Sequence, residues 1–345
     1  MNKEAERLPN IWVLTDEVAG HNAQSIGVAE ALGLPFIKKK IIYNKKAKLP
    51  NFLICNDFSS VDSKKSDSLH GNPDIVISCG RKLAPVALAI KKRAKKAKIK
   101  TYTCHIMWCG LSKFFGFDLV ALPSHDNINF LIAKNKRILK TIGAPNRINK
   151  DFLLQEYKIW GRTIGELPKP RIVVLIGGNS RKTNFTKYHS EILVNRVTNI
   201  VSELGASLLV TNSRRTNPEL SDYIKAEFKH KIGRYYYFHD VHQSKANPFF
   251  AFLQLADCVI TTGDSISMCS EACTIGKPVF IFSPDGNAPP KHRRFHELLY
   301  KGGYASEFND DNIRKIISSK NLNSLNASKI LNTASLIADR IRNDF

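Results

Sequence analysis

No run in this 345-residue chain approaches the roughly 18 to 20 consecutive apolar residues that cross a bilayer. The most apolar windows, around 171–176 and 248–260, are short and end in glycine or contain aspartate. The opening residues, MNKEAERLPN, carry charges where a signal peptide needs an apolar segment. These absences predict a cytoplasmic protein, neither secreted nor integral to a membrane. Cysteine is sparse too. The seven cysteines are odd in number and scattered, which is no disulfide framework. Cys104 and Cys109 lack partners for zinc, and Cys269 with Cys273, at helical i,i+4 spacing, have no second pair. All seven read as reduced, mostly buried thiols, and no metal site is expected. Neither the GxxxxGK[ST] of a P-loop nor a full GxGxxG is present, so neither an ATPase nor an NAD dehydrogenase follows.

Acidic residues are also in short supply. Lys and Arg number 52 against 30 Asp and Glu, a net charge of +22. Residues 1–150 hold 26 basic and 11 acidic side chains, a net of +15; residues 151–345 hold 26 and 19, a net of +7. Two clusters dominate the first half: Lys38 to Lys48, and Lys91 to Lys100. Such a surface attracts polyanions, meaning nucleic acid or anionic lipid headgroups. The competing reading is that these lysines are solvated bystanders in a chain rich in Lys, Asn and Ile.

What is present is a repeating α/β pattern. Apolar runs at Ile11–Leu14, Pro35–Ile42, Asp74–Ser78, Thr101–Met107 and Leu119–Leu122 read as strands, with helices over Gln24–Leu32 and about Lys82–Ala97. Asn149–Pro170 reads as an irregular linker. The plan then repeats. Strands are expected at Arg171–Ile176, Ser207–Thr211, Tyr235–Phe238, Cys258–Thr261 and Pro278–Phe282, the last of them. Helices are expected over Lys187–Leu204, Pro218–Phe228, Asn247–Ala256 and from Ser265 to Thr274, and the tail Asp310–Asn343 reads as helical. Near-continuous aliphatic strands indicate a parallel sheet covered on both faces. The fold class is therefore α/β, with two tandem Rossmann-like doubly wound domains facing a cleft. Residues 1–150 form the basic N-terminal domain, 151–170 the linker, 171–309 the C-terminal domain, and 310–345 a helical tail expected to pack back on the N-terminal domain.

In such sheets ligands sit beyond the carboxyl ends of the strands, which makes the loops there the candidates. The first is TTGDSISMCSE, ending at Glu271. Gly263 allows a tight turn, Asp264 or Ser265 can cap the helix, and free N–H groups with the hydroxyls of Ser265 and Ser267 suit an anion. Met268 lies beside them, and Glu271 is about two turns in, able to accept from a ribose hydroxyl. The plain alternative is a capped helix with a buried glutamate. The second is Gly177-Gly178-Asn179-Ser180, where backbone can approach a ligand; an ordinary strand-to-helix turn would look the same. The third, Ser213 and Arg214 with Arg215, suits bidentate phosphate binding or is a basic surface turn. The fourth is Gly20-His21-Asn22 with Asp16 and Glu17: an imidazole able to act as a base near neutral pH and a carboxylate to orient it. A lone histidine is just as often structural. Gly80 and Arg81 end the third strand in the same way. The fifth, Lys291 to His296, offers Arg293 and Arg294 to a phosphate or a membrane, or is a solvated loop.

TDEVAGHNAQSIGVAEALG, DIVISCGRKLAPVAL, FDLVALPSHD, GGNS, TNSRRT, TTGDSISMCSEACTIGKPVFIF and KHRRFHELLY together resemble the mitochondrial fission elongated-mitochondria family. Its bacterial members carry the same name or are called nucleoside-diphosphate-sugar epimerases. These motifs span residues 11 to about 304. CHIMWCG, residues 104–110, departs from the more polar stretch with Asp-Pro-Arg expected there. That family is similar to the GT-B glycosyltransferases, among them the transferase that forms lipid II and lipid A disaccharide synthase. The resemblance implies a nucleotide-sugar substrate, no metal and no bound cofactor. It implies donor binding by the C-terminal domain, with Gly177, Gly178 and Ser180 at the diphosphate and Glu271 at the ribose. It implies an acceptor on the N-terminal domain, with His21 or Asp16 deprotonating its hydroxyl. An epimerase with bound NAD would need a GxGxxG fingerprint and a Tyr-x-x-x-Lys pair, and no convincing set is present.

The expected function is thus metal-independent glycosyl transfer from a nucleotide-sugar, on a lipid-linked or envelope acceptor at the membrane surface. The Lys-rich half would face the inner surface of the cytoplasmic membrane. Two rivals stand beside it. One is a non-catalytic membrane adaptor on the same scaffold. The other is a nucleic-acid-binding protein, against which stand the lack of a recognisable module and the few aromatics among the lysines. The sequence sets neither the sugar nor the oligomeric state.

Overall fold

In the computed structural model, which describes residues 7–50, 53–126, 134–164, 166–179, 184–243, 246–284, 288–319, 322 and 328–345, each of the ten runs read as strands overlaps one. The chain divides into a first unit, Met1–Arg147 with Asn332–Phe345, and a second, Ile148–Leu331.

The first unit holds β1 (Ile11–Thr15), β2 (Phe36–Lys40), β3 (Ile75–Cys79), β4 (Tyr102–Ile106), β5 (Leu119–Pro123) and β6 (Ile138–Thr141). They form one parallel sheet in the order β2-β1-β3-β4-β5-β6. β1, β3 and β4 are buried along their whole length, as expected of Val- and Ile-rich strands covered on both faces. On one face, Ile26, Val28 and Leu32 of helix α1 (Ala19–Leu32) join a core with Ile11, Val13 and Ile77. On the other, helix α2 (Leu83–Lys96) and the short α3 (Leu111–Phe114) pack on Leu14, Val76 and Val120.

The second unit is built the same way. After helix α4 (Lys150–Ile164) come β7 (Arg171–Leu175), α5 (Lys187–Leu204), β8 (Ser207–Thr211), α6 (Pro218–Ile232), β9 (Tyr236–His239) and α7 (Phe249–Leu255). Then follow β10 (Cys258–Thr262), α8 (Ile266–Ala272), β11 (Val279–Phe282), α9 (Pro290–Gly302), β12 (Ser306–Glu307) and α10 (Asp310–Ser318). The parallel sheet runs β12-β11-β10-β7-β8-β9. α5 matches its expected bounds because its ends are well marked. Thr186 and His189 form a reciprocal capping box, and Gly205 closes the helix at φ 58°.

Both sheets have a topological switch point, where connections leave in opposite directions. In the first unit it lies between β1 and β3; in the second, between β7 and β10.

Several elements differ from expectation. Lys150–Ile164 is helix rather than irregular chain, and it packs on α7 through the Phe152–Phe250 edge contact. Lys291–His296 is not a loop but the start of α9, with Pro290 at its first position. α1 starts at Ala19, not near Gln24, so His21 and Asn22 are helical. The tail includes a pair of helices, α10 and α11 (Thr333–Asp344); Ile337, Ala338 and Ile341 of α11 complete the α1 core of the first unit. β12 follows the strand expected to be last.

Candidate functional sites

In the first unit the chain leaves β1 at Asp16, on one side of the switch point. Asp16 is buried, yet its carboxylate has several partners. Oδ1 accepts from the Val18 amide at 2.8 Å, and Oδ2 accepts from the Tyr43 hydroxyl at 3.0 Å. Nδ1 of His21 lies 3.7 Å from Oδ2, longer than a hydrogen bond. Burial pushes the Asp16 carboxyl upward. The facing His21 ring, the Val18 amide and the Tyr43 hydroxyl outweigh it and hold the group below the usual carboxylate range. Tyr43 is itself pushed far up, first by burial and then by Asp16, so it stays a proton donor to the carboxylate. Asn22 fixes the turn at two points: Oδ1 accepts from Asp16 N at 2.9 Å and Nδ2 donates to Asp16 O at 2.8 Å.

Gly80, at the end of β3, stands on the other side of the switch point with φ +87°. A Cβ there would come 2.5 Å from Cε1 of His21, so only glycine leaves room for the ring. The fold thus gathers Asp16, His21, Asn22 and Gly80. It adds Tyr43 and Lys82; Lys82 pairs with Glu17 at 2.8 Å and lies 4.9 Å over the Tyr43 ring. Arg81 donates to Leu49 O at 2.9 Å. Gly20 is exposed, and a Cβ there would meet nothing within 4 Å. Behind the site His105 is fully buried, its Nδ1 2.8 Å from the Ser78 hydroxyl. Desolvation drives its pKa down to about 3, so it is neutral. The departing stretch 104–110 is the end of β4 and the turn after it, with Cys109 in the core and Met107 at φ 77°.

In the second unit the site is built around Asp264, whose side chain is wholly buried. Oδ1 accepts from the Thr262 hydroxyl at 2.6 Å; Oδ2 accepts from Gly178 N at 2.9 Å and from the Arg215 guanidinium at 2.9 Å. One carboxylate therefore ties together the loops after β7, β8 and β10. The approach is tight. A Cβ on Gly177 would fall 2.1 Å from Asp264 Oδ1, and one on Gly178 2.2 Å from the Arg215 backbone. Gly177 N donates to Thr262 Oγ1 at 2.7 Å and Asn179 N to Arg215 O at 3.0 Å. The amides of Gly177, Gly178 and Asn179 are thus all used inside the protein. This loop shapes the site rather than offering these N–H groups to an anion. Ser180 lies outside the described residues.

Ser265 caps α8 through Met268 N, Ser267 is exposed and Met268 is buried. Ser213 is held in its turn by Thr216 and the Arg215 amide. Arg214 is exposed; its neighbour Arg215 makes the contact to Asp264. Sequence spacing could not say which of the two would turn inward. Arg293 and Arg294 lie on the exposed side of α9, whose inner side carries Phe295 and His296. His296 Nε2 is 2.9 Å from Gly263 O, and burial lowers its pKa to about 4. His292 is also lowered by burial and feels the charges of Asp264 and Arg215. The carboxyl of Glu271, a residue partly accessible at its surface, has no hydrogen bond or ion pair among the described residues. Desolvation raises its pKa to about 8. Tyr43 escaped sequence reasoning; Thr262, Arg215 and His296 lay inside the candidate loops, but none was expected to pack against Asp264 or Gly263. Tyr43 sits in a long connection with no motif, and the others look like ordinary turn and helix residues.

Two parallel sheets with glycine-tight loops at both switch points define an α/β protein on a GT-B, glycosyltransferase-like scaffold. Residues 19–345 match the family model described as Mitochondrial fission ELM1, and the chain belongs to that family. An uncharacterized protein of Rickettsia prowazekii (strain Madrid E) is 29% identical over 334 residues, 87% of this chain and 91% of its own length. The mitochondrial fission protein ELM1 of Arabidopsis thaliana is 26% identical over 254 residues, 68% of this chain and 57% of that protein. Among solved structures, the UDP-GlcNAc 2-epimerase of Neisseria meningitidis bound to UDP-GlcNAc superposes with a TM-score of 0.51 and 13% identity. That match covers 97% of this chain and 98% of the epimerase. The glycosyltransferase of kitacinnamycin gives 0.50 and 12% identity, covering 98% of this chain and all of its own. One fold serves proteins named as an epimerase and as a transferase, so the scaffold is fixed by the fold and the reaction by residues.

Proposed function

We propose that the chain is a glycosyltransferase that takes a nucleotide-sugar donor in its second unit and activates an acceptor hydroxyl with Asp16 and His21 of its first. The observation that carries this reading is the Asp264 bracket. It ties three strand-end loops together beside the switch point, where doubly wound sheets bind ligands. Glu271, raised to about 8 and without a partner for its carboxyl among the described residues, is suited to hydrogen-bond a ribose hydroxyl. His21 accepts the acceptor proton, with Asp16 stabilising the imidazolium. The acceptor oxygen then bonds to the anomeric carbon as the bond to the nucleoside diphosphate breaks, with inversion. Arg214 and Arg215 take the departing charge in place of a metal. The acceptor in this reading is lipid-linked or an envelope component at a membrane surface. Among the described residues no helix is long and apolar enough to cross a membrane.

One observation favours a second reading, a non-catalytic adaptor of the kind the family description suggests. The Gly177–Asn179 amides are all spent inside the protein, which leaves fewer donors for a diphosphate. Thermal-shift measurements with UDP, GDP, CMP, ADP, TDP and their sugars separate the two. Under the transferase reading one ligand raises the melting temperature of the wild type and Glu271→Gln loses the effect. No shift from any of them, well above usual affinities, would leave the adaptor.

A further inference from the structure

One lysine from each of the first unit's two clusters, far apart in sequence, lies near Asp57. Lys46 and Lys92 both act on the carboxylate of Asp57. Close to Asp57 in the fold are apolar side chains left largely exposed among the described residues. Leu111 and Phe115 share one side of α3 and its helical continuation, at i,i+4, and are 55% and 59% exposed. Leu53 is 57% exposed, and the turn that bears it is fastened to α3 by the buried Lys113 ammonium, which donates to Ile54 O. Cations frame this apolar cluster. Arg137 donates to Phe115 O at 3.2 Å, and Lys91 to Gly116 O at 3.0 Å and to Asp118 at 2.7 Å. Lys46, Lys92 and Arg137 are exposed; Arg137 reaches Phe115 directly, and Lys46 and Lys92 lie near Asp57, which in turn is near Lys113 of α3.

We propose that this face, with Leu53, Leu111 and Phe115 at its centre and Lys46, Lys92 and Arg137 around them, docks on an anionic lipid bilayer. The three apolar tips enter the boundary between headgroups and acyl chains, while the cations meet the lipid phosphates. A bilayer is favoured over a second copy of the chain because two such faces would bring like charges together. It is favoured over nucleic acid because the cluster offers one aromatic and two leucines, not a row of stacking platforms. The inference deepens the membrane aspect of the reading above. It uses no residue of the donor site, so either can fail while the other stands.

The test is flotation of the full chain with phosphatidylcholine vesicles, and with vesicles of phosphatidylcholine and phosphatidylglycerol in equal amounts. The wild type is expected on the anionic vesicles only, more weakly as salt is raised. Leu111→Ser with Phe115→Ser, at exposed positions, is expected to keep the wild-type circular dichroism melt. It should lose about tenfold or more of the vesicle affinity. Lys46→Glu with Lys92→Glu should lose a comparable amount. Tryptophan emission of Phe115→Trp should move to the blue on the anionic vesicles and stay put on the neutral ones. The proposal is overturned if the wild type ignores anionic vesicles, or if the Leu111, Phe115 double variant binds them as well as wild type does. It is overturned in favour of nucleic acid if single-stranded RNA binds this face and Phe115→Trp shows no blue shift with lipid. A dimer in sedimentation velocity that the double variant breaks would assign the face to a second copy instead.

Discussion

The ring of His21 rests against Gly80, leaving no space for even a methyl group on that residue. The first turn of α1 and the turn after β3, on opposite sides of the first sheet's switch point, are thereby locked to each other by shape. Gly80→Ala meets both the contact and the positive φ, and is expected to cost about 1–3 kcal/mol. Urea unfolding measures the cost, and the His21 Cε1–H resonance reports whether the ring is displaced. An unchanged resonance together with unchanged stability would mean the ring is not fixed by Gly80.

Asp264 should be the most sensitive polar position in the second unit. Asp264→Ala strands the buried Gly178 amide and Thr262 hydroxyl and frees Arg215 to solvent, with an expected loss of about 2–4 kcal/mol. Chemical denaturation checks this. A loss below about 1 kcal/mol would show that the three loops hold without it.

Glu271 sets a pH dependence. Its carboxyl is raised from an ordinary 4.5 to about 8 in the folded chain, so the folded state keeps the proton longer than the unfolded one. The associated stability is complete below 4.5 and lost as pH rises towards and through 8. Glu271→Gln has no such slope. The stability of the variant relative to wild type should therefore rise between these two pH values and level off above them. Parallel urea titrations at the two ends measure it, and a flat difference would refute the shift.

Asp16 works in the opposite sense. Its carboxyl is held below the usual range, so its contribution is present above that range and disappears as acid protonates it. Tyr43→Phe removes one of the donors that lower it. The variant should lose about 1 kcal/mol at neutral pH and begin acid unfolding at a higher pH than wild type. Identical acid transitions for the two proteins would show that the Tyr43 hydroxyl contributes nothing to the carboxylate.

Strands were legible where their aliphatic centres are buried: Ile172–Leu175 and Leu208–Val210 are unbroken aliphatic runs that suit little else. β6, only partly buried and carrying Lys140, left no such run, and β12 is two exposed residues. The linker helix α4 was masked by its Gly161 and by the flanking prolines, while its stability comes from packing on α7, which no local pattern shows. At the candidate sites the loops were found and the pairing was not. Asp264 looked like a ligand contact and is a cross-link. Arg214 and Arg215 differ only in which way the turn points them. Tyr43 reaches Asp16 across 27 positions, a distance in sequence that no spacing rule bridges.

The helix Thr333–Asp344 has a consequence for how the molecule is made. Its Ile337, Ala338 and Ile341 finish a core begun at Ile11, and residues 148–331 are translated between the two. On a ribosome the second unit can close as soon as its own residues emerge. The first must wait, its α1 flank open to solvent, until a segment made some 300 residues later arrives to seal it.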